Sequence, residues 1–139
     1  MAILQAIATS FKAEILQGIH DSADTYKIAL YTSAATLGAT TTAYSATNEV
    51  SGTGYTAGGQ VLSGFNVTTS GITAILDFTT DPSWANATIT ARGALIYNSS
   101  KTNKAVYVLD FGSDISSTNG EFTVTFPTPD AVSALIRLG

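Results

Sequence analysis

The sequence predicts a mainly β protein: a single antiparallel β-sandwich or jelly-roll-like domain over residues 1–139, with one short N-terminal helix. Three observations carry that expectation. Beyond residue 25 apolar side chains alternate with polar ones, turn signals separate the alternating runs, and helical spacing occurs once, at the start. Seven strands without a second helix point to a sandwich.

The helix comes first. Ile3, Ile7, Phe11, Ile15 and Ile19 recur every four residues, with Leu4 and Leu16 beside them, which forms one apolar stripe on a helix. Thr9 or Ser10 is a candidate N-cap, and Gly18 followed by His20-Asp21-Ser22 supplies a stop, so a helix is expected over about 10–18. The residues before Ser10 extend it or form an arm ordered against a partner; together 1–20 make an arm-and-helix unit.

Strands are expected at 25–32, 60–69, 72–79, 86–98, 104–111, 121–126 and 132–138. Tyr26, Ile28 and Leu30 share a face in the first, and Val61, Phe65 and Val67 in the second. Ile72, Ala74, Leu76 and Phe78 alternate with Thr73, Ile75, Asp77 and Thr79 in the third. The fourth shows Thr88, Thr90 and Arg92 to water. In the fifth, Ala105, Tyr107, Leu109 and Phe111 face inward, while Val106 and Val108 indicate cover on the other side too. Asn98 to Asn103 reads as a hairpin loop, and Asn119-Gly120 as a turn before the clean alternation of Phe122, Val124 and Phe126. Pro127 and Pro129 then break the ladder.

Residues 34–59 follow neither period. Loops this long are uncommon and usually functional or ordered by a partner. Gly52, Gly54, Gly58 and Gly59 permit close backbone approach, and Tyr44 and Tyr55 can bury rings while keeping a hydroxyl wet.

Composition excludes more chemistry than it suggests. Only 12% of the 139 residues are charged, against 45% apolar, and Thr, Ser, Ala and Gly fill nearly half the chain. A net charge of −4 with six scattered cations disfavours nucleic acid as a partner. No run approaches 18 apolar residues, so no membrane span is expected, and the opening lacks the basic region of a secretory signal. Without cysteine there are no disulfides and no thiolate metal or redox sites, which fits a cytosolic folding compartment.

Each candidate constellation is met by a plainer reading. The glycine-rich 52–59 segment resembles a phosphate loop, but it carries no lysine and opens a strand instead of a helix. His20, the only histidine, lies beside Asp21, Ser22 and Asp24. Neighbours on one short turn do not converge as a catalytic relay, so a helix-ending His with Asp-capped turns is favoured. One His without Cys serves zinc poorly. The pairs Asp77/Asp81 and Asp110/Asp114 do not match calcium-loop spacing and read as solvated turn formers. Trp84 is either a plug at one end of the sandwich, the favoured reading, or a platform for sugar rings. No catalytic, cofactor-binding or metal residue is nominated.

The segment from Phe11 to Asp21 leading into Thr25–Thr32 resembles the front of small virion proteins of tailed bacteriophages. The 48–59 segment and Ala91-Arg-Gly-Ala-Leu-Ile-Tyr-Asn98 are similar to them as well. The likeness covers most of the chain. It implies a β-rich, non-enzymatic capsid cement (decoration) protein without cofactors, located on the virion surface and made in the host cytoplasm. It also implies a homo-oligomer, dimer or trimer, in contact with the major capsid protein or other virion proteins. A neck or tail component and a carbohydrate-binding sandwich are the alternatives. The contact residues expected are Ile7, Phe11 and Ile15 on the helix stripe, and Tyr44, Glu49, Tyr55 and Gln60 in and beside the long loop.

Overall fold

A computed structural model describes residues 2–127, 129 and 132–138; the ends of the expected domain span, Met1 and Gly139, lie outside them. The fold is a two-sheet, sandwich-like antiparallel β domain with a single α-helix. Its elements are β1 (Ala6–Ile7), α1 (Thr9–Leu16), β2 (Tyr26–Tyr31), β3 (Gln60–Val61), β4 (Phe65–Ser70), β5 (Thr73–Phe78), β6 (Ser83–Asn98), β7 (Lys104–Thr123) and β8 (Ile136–Leu138). The larger sheet has the order β1-β7-β6-β2-β3, and the smaller has β4-β5-β8.

The frame is the long β6–β7 hairpin. Its turn is the short 3-10 segment Ser99–Lys101, where the Asn98 side chain accepts a hydrogen bond from the Ser100 amide. β2 pairs along β6 from Tyr26↔Asn98 to Tyr31↔Gly93. These central strands are apolar on both faces: Ile28, Ala29, Leu30, Leu95, Ile96, Val106 and Val108 are all nearly inaccessible. The expectation that 104–111 is covered on both sides holds there. Between the sheets runs an aromatic seam. The Tyr26 ring stacks on Phe65 at 5.0 Å and meets Phe78 edge-on at 5.7 Å, and Phe78 reaches Phe126 at 6.3 Å. Each such ring contributes about 1.5–3 kcal/mol by leaving water.

Several expected boundaries are corrected. The helix runs Thr9–Leu16, with Ala8 instead of Thr9 or Ser10 at its N-cap position. The first amides are held by other strands and loops, since Ala8 donates to the Val106 carbonyl and Thr9 to that of Ala39. The residues before it form β1 and pair with β7 at Val108 and Tyr107, because the β7 edge there was free to take them. The expected strand 60–69 is split into β3 and β4. Gly64 (φ +78°) turns the chain between them, and a Cβ there would collide with the Thr79 side chain. Val61 and Val67 consequently stand exposed, as does Ile72 at the β4–β5 turn.

The strands expected at 104–111 and 121–126 instead share one strand, β7, which ends at Thr123 and leaves 124–126 outside it. Asn119 does adopt a positive φ of 46°, as a turn residue would. However, β6 reaches back to Ser83 and keeps pairing, and the irregularity is absorbed by register shifts, with Asn119 donating to Thr88 Oγ1. The last strand is shortened to Ile136–Leu138.

Asp77, expected to be solvated, is 6% exposed on β5, and its Oδ1 has no hydrogen-bond partner. Burial raises its pKa, reinforced by the Asp81 charge and partly opposed by the Phe78 amide. A carboxyl with a raised folded pKa contributes stability at low pH that is lost as pH rises through that pKa. Asp77→Asn is therefore expected to stabilise the fold by about 1–2 kcal/mol at pH 7 and negligibly at pH 3. Urea unfolding of both proteins at the two pH values checks this; equal gains at both would contradict it.

Candidate functional site

The seven residues expected to make contacts fall in four places: the long loop, β3, β1 and α1. Tyr44, Glu49 and Tyr55 come together within the long loop. Glu49 Oε1 accepts the Tyr44 hydroxyl at 2.6 Å, and Oε2 accepts the Tyr55 hydroxyl at 2.6 Å and the Gly58 amide at 2.8 Å. Tyr55 oxygen in turn accepts the Leu30 amide at 2.9 Å, and the Gly58 carbonyl accepts the Tyr97 hydroxyl at 2.6 Å. Tyr44 stacks on Tyr97 at 4.7 Å, and Tyr55 leans on Trp84 at 5.9 Å. Gly59 (φ +77°) presses its backbone against β2, where a Cβ would overlap the Ile28 carbonyl. The loop is thus fastened to β2, β6 and β7 from within, through bridges Tyr31↔Glu49, Thr53↔Thr88 and Ala43↔Lys104.

Gln60 lies apart in β3 and donates to the Ser83 carbonyl at 2.8 Å. Ile7 sits in β1, half-buried. Phe11 is 3% exposed in the chain's own core, and with Ile15 it lines an apolar hollow of about 220 Å³. Phe65, Val67, Ala74, Leu76 and Leu138 close the other side of that hollow. Trp84 is 6% exposed and packs edge-on to Phe122 at 6.2 Å, so it is a core residue and offers no platform to a sugar.

A second polar cluster was not legible in the sequence. The His20 side chain is 3% exposed and donates from Nε2 to Glu14 Oε1 at 2.9 Å. Its Nδ1 meets the Asn98 amide nitrogen at 3.0 Å, and that same nitrogen donates to Asp24 Oδ2 at 2.8 Å. Asn98 is fully buried, and its oxygen is taken by the Ser100 amide, which fixes which end is the donor. His20 therefore holds its proton on Nε2, with both ring nitrogens engaged inside the chain. Lys101 reaches Asp24 at 3.1 Å, and Lys104 reaches Glu14 at 3.5 Å. Burial opposes the charge of Asp24, but the hydrogen bonds from Asn98, Lys101 and the Asp21 backbone, with the Lys101 charge, outweigh it and hold the carboxyl below its usual range. The cluster ties the α1–β2 connection to the β6–β7 turn. The closeness of His20 and Asp24 in the chain and the Asn98 that opens the hairpin loop were the hints the sequence held.

These arrangements define a class of surface: a β body whose long loop is latched from within at Glu49, with several apolar side chains left outside. Val67, Ile72 and Leu138, all on or beside the smaller sheet, are between 45% and 98% exposed, and Val61 on β3 of the larger sheet is exposed too. No helix among the described residues is long and apolar enough to cross a membrane. No family model matches the chain, and neither a curated protein nor a solved structure matches it.

Proposed function

We propose that this chain is a non-enzymatic structural protein of a tailed-phage particle, a capsid cement protein that bridges and stabilises neighbouring shell subunits. The observation that carries the reading is the exposed apolar set on the smaller sheet, Val67, Ile72 and Leu138, presented by a body whose long loop is already ordered. A preformed surface loses little conformational entropy when it docks, so more of the buried area contributes to affinity, at roughly 25 cal/mol per Å² before ordering costs. Few charges and many hydroxyls suit broad contacts made by apolar burial and backbone hydrogen bonds. The sequence resemblance to small phage virion proteins supports the same reading.

The test is binding to empty capsids of a matching phage, read by cryo-microscopy and by the temperature at which the shells rupture. Density repeated across the shell and a higher rupture temperature are expected. A few copies at one vertex would move the chain to the neck or tail, and absence of binding would end the proposal.

A further inference from the structure

Strand β4 bounds the smaller sheet, with β5 on one side and nothing on the other among the described residues. It is six residues long, Phe65 to Ser70, and carries no charge and no proline. From Asn66 onward every one of its residues is exposed. An uncharged edge of this length is a template for strand addition, and soluble proteins normally blunt such edges. The strands that end the two sheets elsewhere among the described residues are short. β1 and β3 are two residues long, and β8 is three with Arg137 at its centre. The distal half of β7 carries Asp114 and Glu121, and its pairing with β6 is broken by register shifts.

We propose that β4 pairs antiparallel with β4 of a second copy of this chain, giving a twofold dimer with one continuous six-stranded sheet. A backbone edge is satisfied by another strand, and three observations favour the chain's own. A neutral strand meets its twin without like-charge repulsion. Twofold pairing closes both edges at once and leaves no template for further growth. Val67 on β4 and Ile72 at its turn flank the edge and are both exposed. Main-chain pairing over a strand of about 20 Å falls short of the roughly 1,200 Å² that a stable interface buries, and Val67 and Ile72 are the exposed apolar side chains beside the seam that add to it. The dimer covers part of the apolar set that carries the shell reading, but it is measured without shells, so its failure and that of the shell role are read separately.

Sedimentation equilibrium of the full chain at micromolar concentration is expected to give twice the 14.3 kDa chain mass. Val67→Lys with Thr69→Lys places like charges near the twofold axis and is expected to weaken the dimer at least tenfold while far-UV circular dichroism stays unchanged. Because the natural chain has no cysteine, single cysteines at Val67, Thr68 and Thr69 give a second readout. The position nearest the axis should cross-link two copies on mild oxidation, and a cysteine at Thr42 should not. A monomer throughout, or a dimer that tolerates the lysine pair, would overturn the assignment, as would equal cross-linking at Thr42.

Discussion

Glu49→Ala is expected to lower the melting temperature by roughly 10–20 °C, the equivalent of about 3–5 kcal/mol. The carboxylate is the common acceptor for the hydroxyls of Tyr44 and Tyr55 and for the Gly58 amide. Hydrogen bonds to a charged acceptor contribute more than neutral ones, and truncation leaves three donors to find water in a half-buried site. The damage should spread along the loop. Without Glu49, Tyr55 loses the partner that orients its oxygen toward the Leu30 amide, and Gly58 loses one of its two fastenings to the sheet. Limited proteolysis should then cut first within 34–59, where the parent resists. A variant melting within about 2 °C of the parent would show that the loop is held by other means.

Alkaline pH should unfold this protein steeply. All six tyrosines, Tyr26, Tyr31, Tyr44, Tyr55, Tyr97 and Tyr107, have pKa values raised above the usual 10. Burial is the leading cause in every case, and the Glu49 charge adds to it for Tyr31, Tyr44, Tyr55 and Tyr97. A phenol with a raised folded pKa contributes stability that is complete below pH 10. Above that, the unfolded chain releases protons that the folded chain retains, and stability falls as pH rises toward the folded values. Each fully retained proton gives a slope of about 1.4 kcal/mol per pH unit, so Tyr26 and Tyr31, each no more than 2% exposed, together give about 3. Against a typical stability of about 5–15 kcal/mol, unfolding is expected within two or three units above pH 10. Tyrosinate absorbance and near-UV circular dichroism should change together in one cooperative step. Phenols titrating near pH 10 in an intact fold would contradict the account.

How much of this was legible in the chain differs from element to element. The doubly apolar 104–111 reported a strand and its burial directly, while the period-two run at Tyr26–Tyr31 reported the strand but only one of its two covered faces. The stripe from Ile3 to Ile19 reported a helix but overran it, since Ile3 and Ile7 keep helical spacing while lying in extended backbone: Ile3 bridges Leu37, and Ile7 pairs with Tyr107. The Asn119-Gly120 signal described a real local conformation, yet not its consequence, because the reach of β6 decides whether a positive φ ends a strand or bends it. In the candidate contacts, Tyr44, Glu49 and Tyr55 were picked out as a loop group. Their mutual hydrogen bonds were not, since spacing along a loop carries no information about which side chains converge.

By itself, the amino-acid sequence determined the β class, the single helix, the absence of thiol chemistry and the location of the one long aperiodic segment. Those are properties of local periodicity and composition. Only the tertiary structure decided that the segment is latched by Glu49, that Asp77 and Asn98 are buried, and that β4 is left as the open edge. Alternation says that a strand has a covered side, but the covering element is chosen by contacts between residues far apart in the chain.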